Sequence, residues 1–183
     1  MLQIFGIFVV AVLATLALPQ KAQASIAVPS AVRTMPGDLQ IRADDHRAQI
    51  LRNYLAAHNS PLAPYAENFV AEADKNGIDW RLVAAISGLE SSFGEHIPPD
   101  SYNGWGFGVY GDNVRRFNSW DDGIAVVSKS LRDDYMNKWG ATSVPEIGKM
   151  YAASPTWAIR VQYFINDIDA FAAKKPDTLA ISL

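Results

Sequence analysis

DWRLVAAISGLESSFG, residues 79–94, is the stretch on which the fold turns. Asp79 stands where a helix N-cap belongs, and Trp80 to Ser92 then runs without a proline until Gly94 closes it. At helical spacing Val83, Ile86, Ser87 and Glu90 share one face, and Leu82, Ile86 and Leu89 form the apolar stripe beside it. Glu90 therefore lies at the edge of a face meant for burial. It also stands in the last turn, where the helix dipole disfavours a negative charge. Both conditions raise a carboxyl pKa and keep a proton available near neutral pH. Spacing alone equally allows a surface glutamate at a helix end.

Helical patterns continue on both sides. Upstream, from Asp44, Ile50, Tyr54, Leu55 and His58 recur at helical intervals until Ser60-Pro61. Pro64 to Asn76 forms a second element, ended by Gly77 as a left-handed cap. Downstream, Ser119 with Asp122 predicts a long helix to about Trp139, and Ser143 with Glu146 a short one reaching Tyr151. Ser154-Pro155 opens a last helix to about Ala173. Residues 94–118 break the pattern with glycines, the pair Pro98-Pro99 and several aromatics. The fold class read from this is mainly α, with a small glycine-rich irregular or β lobe.

The N-terminal stretch reads as that of an exported protein. Leu2 to Leu18 is nearly all apolar, and Ala22-Gln23-Ala24 follows as a small-x-small cleavage pattern. Residues 1–24 are thus expected to be a signal peptide, 25–43 a linker, 44–175 the folded domain and 176–183 a tail. No Lys or Arg precedes the apolar run, which leaves an uncleaved anchor as the rival. Either way the domain is expected outside the cytoplasm, with no integral membrane association once the signal is cut.

The 183 residues suffice for one domain with a real core. A net charge of −3 offers no basic excess for nucleic acid. Cysteine is absent, which excludes disulfides, thiolate metal sites and a thiol nucleophile. His46, His58 and His96 show no metal-ligand spacing, and no Gly-x-Ser-x-Gly element occurs. Gly106-x-Gly108-x-x-Gly111 formally fits a dinucleotide fingerprint, but it follows no strand and opens no helix. No cofactor is expected, and the domain is expected to act as a monomer.

LVAAISGLESSFG resembles the Glu-Ser signature of the lysozyme-like superfamily, shared by soluble lytic transglycosylases and bacterial peptidoglycan glucosaminidases of the endo-β-N-acetylglucosaminidase type. Three later segments favour the glucosaminidases. Asn103-Gly104-Trp105-Gly106-Phe107-Gly108-Val109 is similar to their Asn-x-Phe-Gly-Ile segment, and Phe117 to Ile124 to their aromatic-x-Ser helix entry. Tyr151-Ala152-Ala153-Ser154-Pro155-Thr156-Trp157-Ala158 follows their Tyr-Ala-Thr-Asp-Pro-x-Tyr-Ala run. The resemblance, over residues 79–170, implies peptidoglycan glycan strands as partner and Glu90 as the catalytic acid. It implies that Tyr151 brings a hydroxyl near the reacting sugar or Glu90, against the plainer reading of a core aromatic bonded to a carbonyl.

On the substrate-binding side stand Ser91, holding the loop after the helix, and Asn103, Trp105, Phe107 and Tyr110. The glycines there allow close backbone approach, and the three aromatics offer faces for a sugar to stack on. A glycine-rich hairpin covering a small core is the alternative, as is local capping for Ser91. A two-carboxylate hydrolase needs a partner for the acid. Asp112 is preferred over Glu95 and Asp100, although no motif marks it. A lytic transglycosylase on the same fold, or a glycan-binding module without activity, are the competing functions.

Overall fold

The computed structural model describes residues 45–108 and 113–174. The expected signal peptide, linker and C-terminal tail lie outside the described residues, as do Tyr110 and Asp112. The described chain is mainly α. Its helices are α1 (His46–Ala57), α2 (Ala66–Asn76), α3 (Leu82–Ser91), α4 (Trp120–Ser130), α5 (Val144–Tyr151) and α6 (Trp157–Lys174). A 3-10 turn, Ala63–Tyr65, leads into α2, and α4 continues into a π-helical segment, Leu131–Lys138. Between α3 and α4 the chain is irregular, with turns and one isolated bridge residue, Asn113, rather than strands among the described residues.

Local chemistry sets most boundaries. Asp45 caps α1 by accepting from the Arg47 amide at 2.9 Å, and Ser119 caps α4 by accepting from the Asp122 amide at 3.1 Å. Gly77 ends α2 at φ +59°, the left-handed geometry expected of it. Asp79 also caps, accepting from the Arg81 amide at 2.9 Å, but a turn intervenes and α3 begins at Leu82. The Ser143–Glu146 cap forms differently. Ser143 makes no side-chain cap bond, and Glu146 accepts from the amide and hydroxyl of Thr142 instead. The last helix begins at Trp157, two residues beyond Pro155.

Every residue of α3 from Leu82 to Gly88 is buried. The one-stripe reading was too narrow, because a helix apolar on all sides belongs in the middle of a bundle. It packs chiefly on α6, while α2 packs on α4 and α5 on α6. Polar ties fix α6 in turn. The Tyr54 hydroxyl of α1 donates to Asp167 at 2.8 Å, and Arg81 bridges Asp79 and Asp169. Trp105 closes the core between α2, α3 and α4. Its indole N–H donates to the Val83 carbonyl at 2.9 Å, and its ring meets Phe69, Phe117 and Trp120. Gly123 of α4 makes room for it, since a Cβ there would stand 2.5 Å from the indole.

The exit of α3 is unusual. Ser92, Phe93 and Gly94 take φ of +51°, +59° and +87°, three left-handed residues in a row, of which two are not glycine. Hydrogen bonds hold them there. The amides of Ser92 and Phe93 both donate to the Ser87 carbonyl, Ser60 donates to the Phe93 carbonyl at 2.7 Å, and the Gly94 amide donates to the Ser91 hydroxyl at 2.8 Å. The Phe93 ring is sealed among Tyr54, His58 and Phe164.

Candidate functional site

Glu90 is the first residue of α3 to reach solvent after the buried run. Its carboxyl is open on one side and enclosed on the others. Trp157, at the start of α6, donates its indole N–H to Oε1 at 2.7 Å. Gly106 lies against the other oxygen, so that a Cβ at Gly106 would sit 3.2 Å from Oε2. Gly106 also holds φ +58°, so any side chain there is strained as well as pressed onto the carboxylate. Burial pushes the Glu90 pKa up; the Trp157 hydrogen bond and the Arg160 charge pull against it, and the net direction is upward.

Tyr151 stands next to this carboxyl without giving up its own proton to it. Its hydroxyl donates to the Trp105 carbonyl at 2.8 Å, and its ring stacks on Trp157 at 4.7 Å between centroids. Burial, and then the Glu90 charge, hold its pKa well above the usual phenol value. Tyr151 is therefore a neutral phenol whose proton points at a carbonyl, the plainer of the two expectations for it. It braces Trp157, which in turn holds Glu90.

The glycine-rich segment corrects two expectations, those for Trp105 and Asn103. Trp105 is fully buried, its ring faces taken by core aromatics, and offers nothing to stack on. Asn103 is buried too and acts as an internal clamp. Its amide donates to the carbonyls of Phe107 and Arg115, and its oxygen accepts from the amides of Trp105 and Phe107. Buried Ser91 donates to the Gly104 carbonyl at 2.7 Å and so ties the loop to α3. Asn103 and Ser91 thereby satisfy backbone polar groups of the segment. Phe107 remains at a surface, partly buried, stacked on Phe117 and covered by the Arg115 guanidinium at 5.2 Å.

Gly106 and Tyr151 also line a cleft of about 360 Å³, together with Phe107, Arg115, Asp134 and Trp139. Asp134 and Trp139 escaped the sequence reading, as did Trp157 and Arg160. Trp157 had been quoted within the Tyr-Ala run without a role. A larger groove of about 930 Å³ runs between α5 and α6 past Pro155, Ile159 and Tyr163, but no carboxylate lines it. No group of three metal-ligating side chains occurs among the described residues, and none of their helices is long and apolar enough to cross a membrane.

No protein-family model matches the chain, and no curated protein matches it. Among solved structures, it is similar to a catalytic mutant of S. aureus autolysin E in complex with the disaccharide NAG-NAM. The TM-score is 0.53 at 14% identity, covering 69% of this chain and 67% of that one. What the two share at that identity is the fold, and the described chain is thus a mainly α domain of the lysozyme-like kind.

Proposed function

We propose that the protein is an exported glycosidase that cuts β-1,4 bonds in the glycan strands of peptidoglycan, of the endo-β-N-acetylglucosaminidase type, with Glu90 as general acid. The observation that carries this is the Glu90 carboxyl itself, ending a buried helix, raised in pKa and gripped on one oxygen by Trp157. An indole N–H can only donate. Oε1 is the accepting oxygen, which favours the neutral acid with its proton on Oε2, beside the bare Cα of Gly106. That proton is the one to be delivered to the leaving glycosidic oxygen. Once it has gone, Trp157 and Arg160 stabilise the carboxylate left behind. The fold supports the substrate class, since the autolysin E mutant of similar fold is in complex with a NAG-NAM disaccharide. The apolar Leu2–Leu18 run supports export to where such strands lie.

Clearing of purified wall material by the wild type and by Glu90→Gln tests the assignment. A positioned acid contributes roughly 10²–10⁴-fold, and a loss of that size is expected with the fold intact by circular dichroism. A Gln variant that clears as fast as the wild type overturns it. Mass spectrometry of the fragments identifies the bond, with reducing N-acetylglucosamine ends expected and anhydro ends marking a transglycosylase.

A further inference from the structure

The π-helical segment builds a surface that an α-helix cannot. Residues five apart on an α-helix, such as Asp134 and Trp139, stand about 140° apart around the axis. Hydrogen bonds from i to i+5 widen the turn, so residues four and five apart share a face. Ser130, Asp134, Tyr135 and Trp139, spaced four, five and nine along the chain, all line the 360 Å³ cleft. Trp139 is 50% exposed and rests edge-on against Tyr135 at 4.9 Å. Asp134 is oriented by the Ser130 hydroxyl, which donates to Oδ2 at 2.6 Å and leaves Oδ1 available. The opposite wall is Phe107 under the Arg115 guanidinium, and Gly106, which lies against Glu90 Oε2, lines the cleft as well.

We infer that this cleft is a binding subsite for one N-acetylhexosamine ring of the substrate, with the exposed Trp139 indole carrying the apolar face of the sugar and Asp134 accepting from its hydroxyls. The chemistry is that of a pyranose, whose C–H face is apolar and whose rim is all hydroxyl. An indole supplies the first partner, and a carboxylate beside a guanidinium the second. The volume lies near the lower end of the roughly 300–1,000 Å³ usual for small-molecule sites, which suits a single ring. Arg115 on the facing wall disfavours a cationic ligand. The inference rests on the glycan reading for the identity of the sugar, but not on Glu90 being the acid.

The test uses the full chain carrying Glu90→Gln, which binds without turnover, and tetra-N-acetylchitotetraose as probe in isothermal titration calorimetry. Adding Trp139→Ala is expected to raise Kd about tenfold or more, a change on the order of one aromatic contact. Trp139→Phe should recover much of that, and Asp134→Asn should weaken binding severalfold with an unchanged melting temperature. In the wild-type background the same changes should raise KM far more than they lower kcat. A Kd unaltered by Trp139→Ala and Asp134→Asn overturns the subsite, as does an absence of binding by Glu90→Gln. Failure of the glycosidase reading looks different: the probe binds and Trp139 matters, yet wild type and Glu90→Gln clear wall material equally.

Discussion

Two short segments meet at the cleft, each with a tryptophan, and they use it in opposite ways. In the glycine-rich segment 103–108, Trp105 is 0% exposed and serves the core. In the π-helical segment and its cap residue, Trp139 is half exposed and serves the cleft. The first segment is conspicuous in sequence and its aromatic looks made for a ligand. The second reads as an ordinary polar helix end. At Trp105, conspicuousness tracked the difficulty of folding the loop. Glycines there permit tight turns, and the turns then need Asn103 and Trp105 to fasten them from within.

Trp105→Ala should break this contrast most severely. Removal of a fully buried indole costs about 3–5 kcal/mol, to be read from urea or thermal unfolding. A variant of unchanged stability that loses sugar binding would restore Trp105 as a ligand contact. Gly123→Ala attacks the same indole from α4, since the added Cβ would meet it at 2.5 Å. Overpacking of this kind costs about 1–3 kcal/mol, and the unfolding midpoint should fall accordingly. Trp139→Ala should cost about 1 kcal/mol or less, the edge-on contact with Tyr135 being its main packing loss.

The finest test is a pH profile. Trp157 and Arg160 both favour the charged form of Glu90 and so lower its pKa. Without either, Glu90 holds its proton to higher pH. The alkaline limb of activity should therefore move upward in Arg160→Gln, whose side chain is exposed, and in Trp157→Phe. A limb that moves downward, or not at all, would detach Glu90 from the titration that governs activity.

Much of the frame was legible. The caps at Gly77 and Ser119 and the central helix are local chemistry, written within a few residues of where they act. The placement of Glu90 at the end of a buried face was legible for the same reason. Its partner was not, because Trp157 lies 67 residues away and only the packing of α3 on α6 brings it near. The π winding was invisible for a different reason. A pattern of polar and apolar residues reports which side is wet, whereas the switch from i+4 to i+5 bonding is a choice of the backbone. Read as α-helix, Asp134 joins a solvated face and nothing in the sequence singles it out.

The left-handed run after Glu90 fixes more than a loop. With α3 enclosed on every side and its exit clamped by Ser92, Phe93 and Gly94, the helix has no slack in which to turn about its axis. One residue inserted or deleted within it would swing Glu90 by about 100° and carry the carboxyl away from Trp157 and Gly106. The spacing from Asp79 to Gly94, more than any amino acid along it, is what aims the carboxyl.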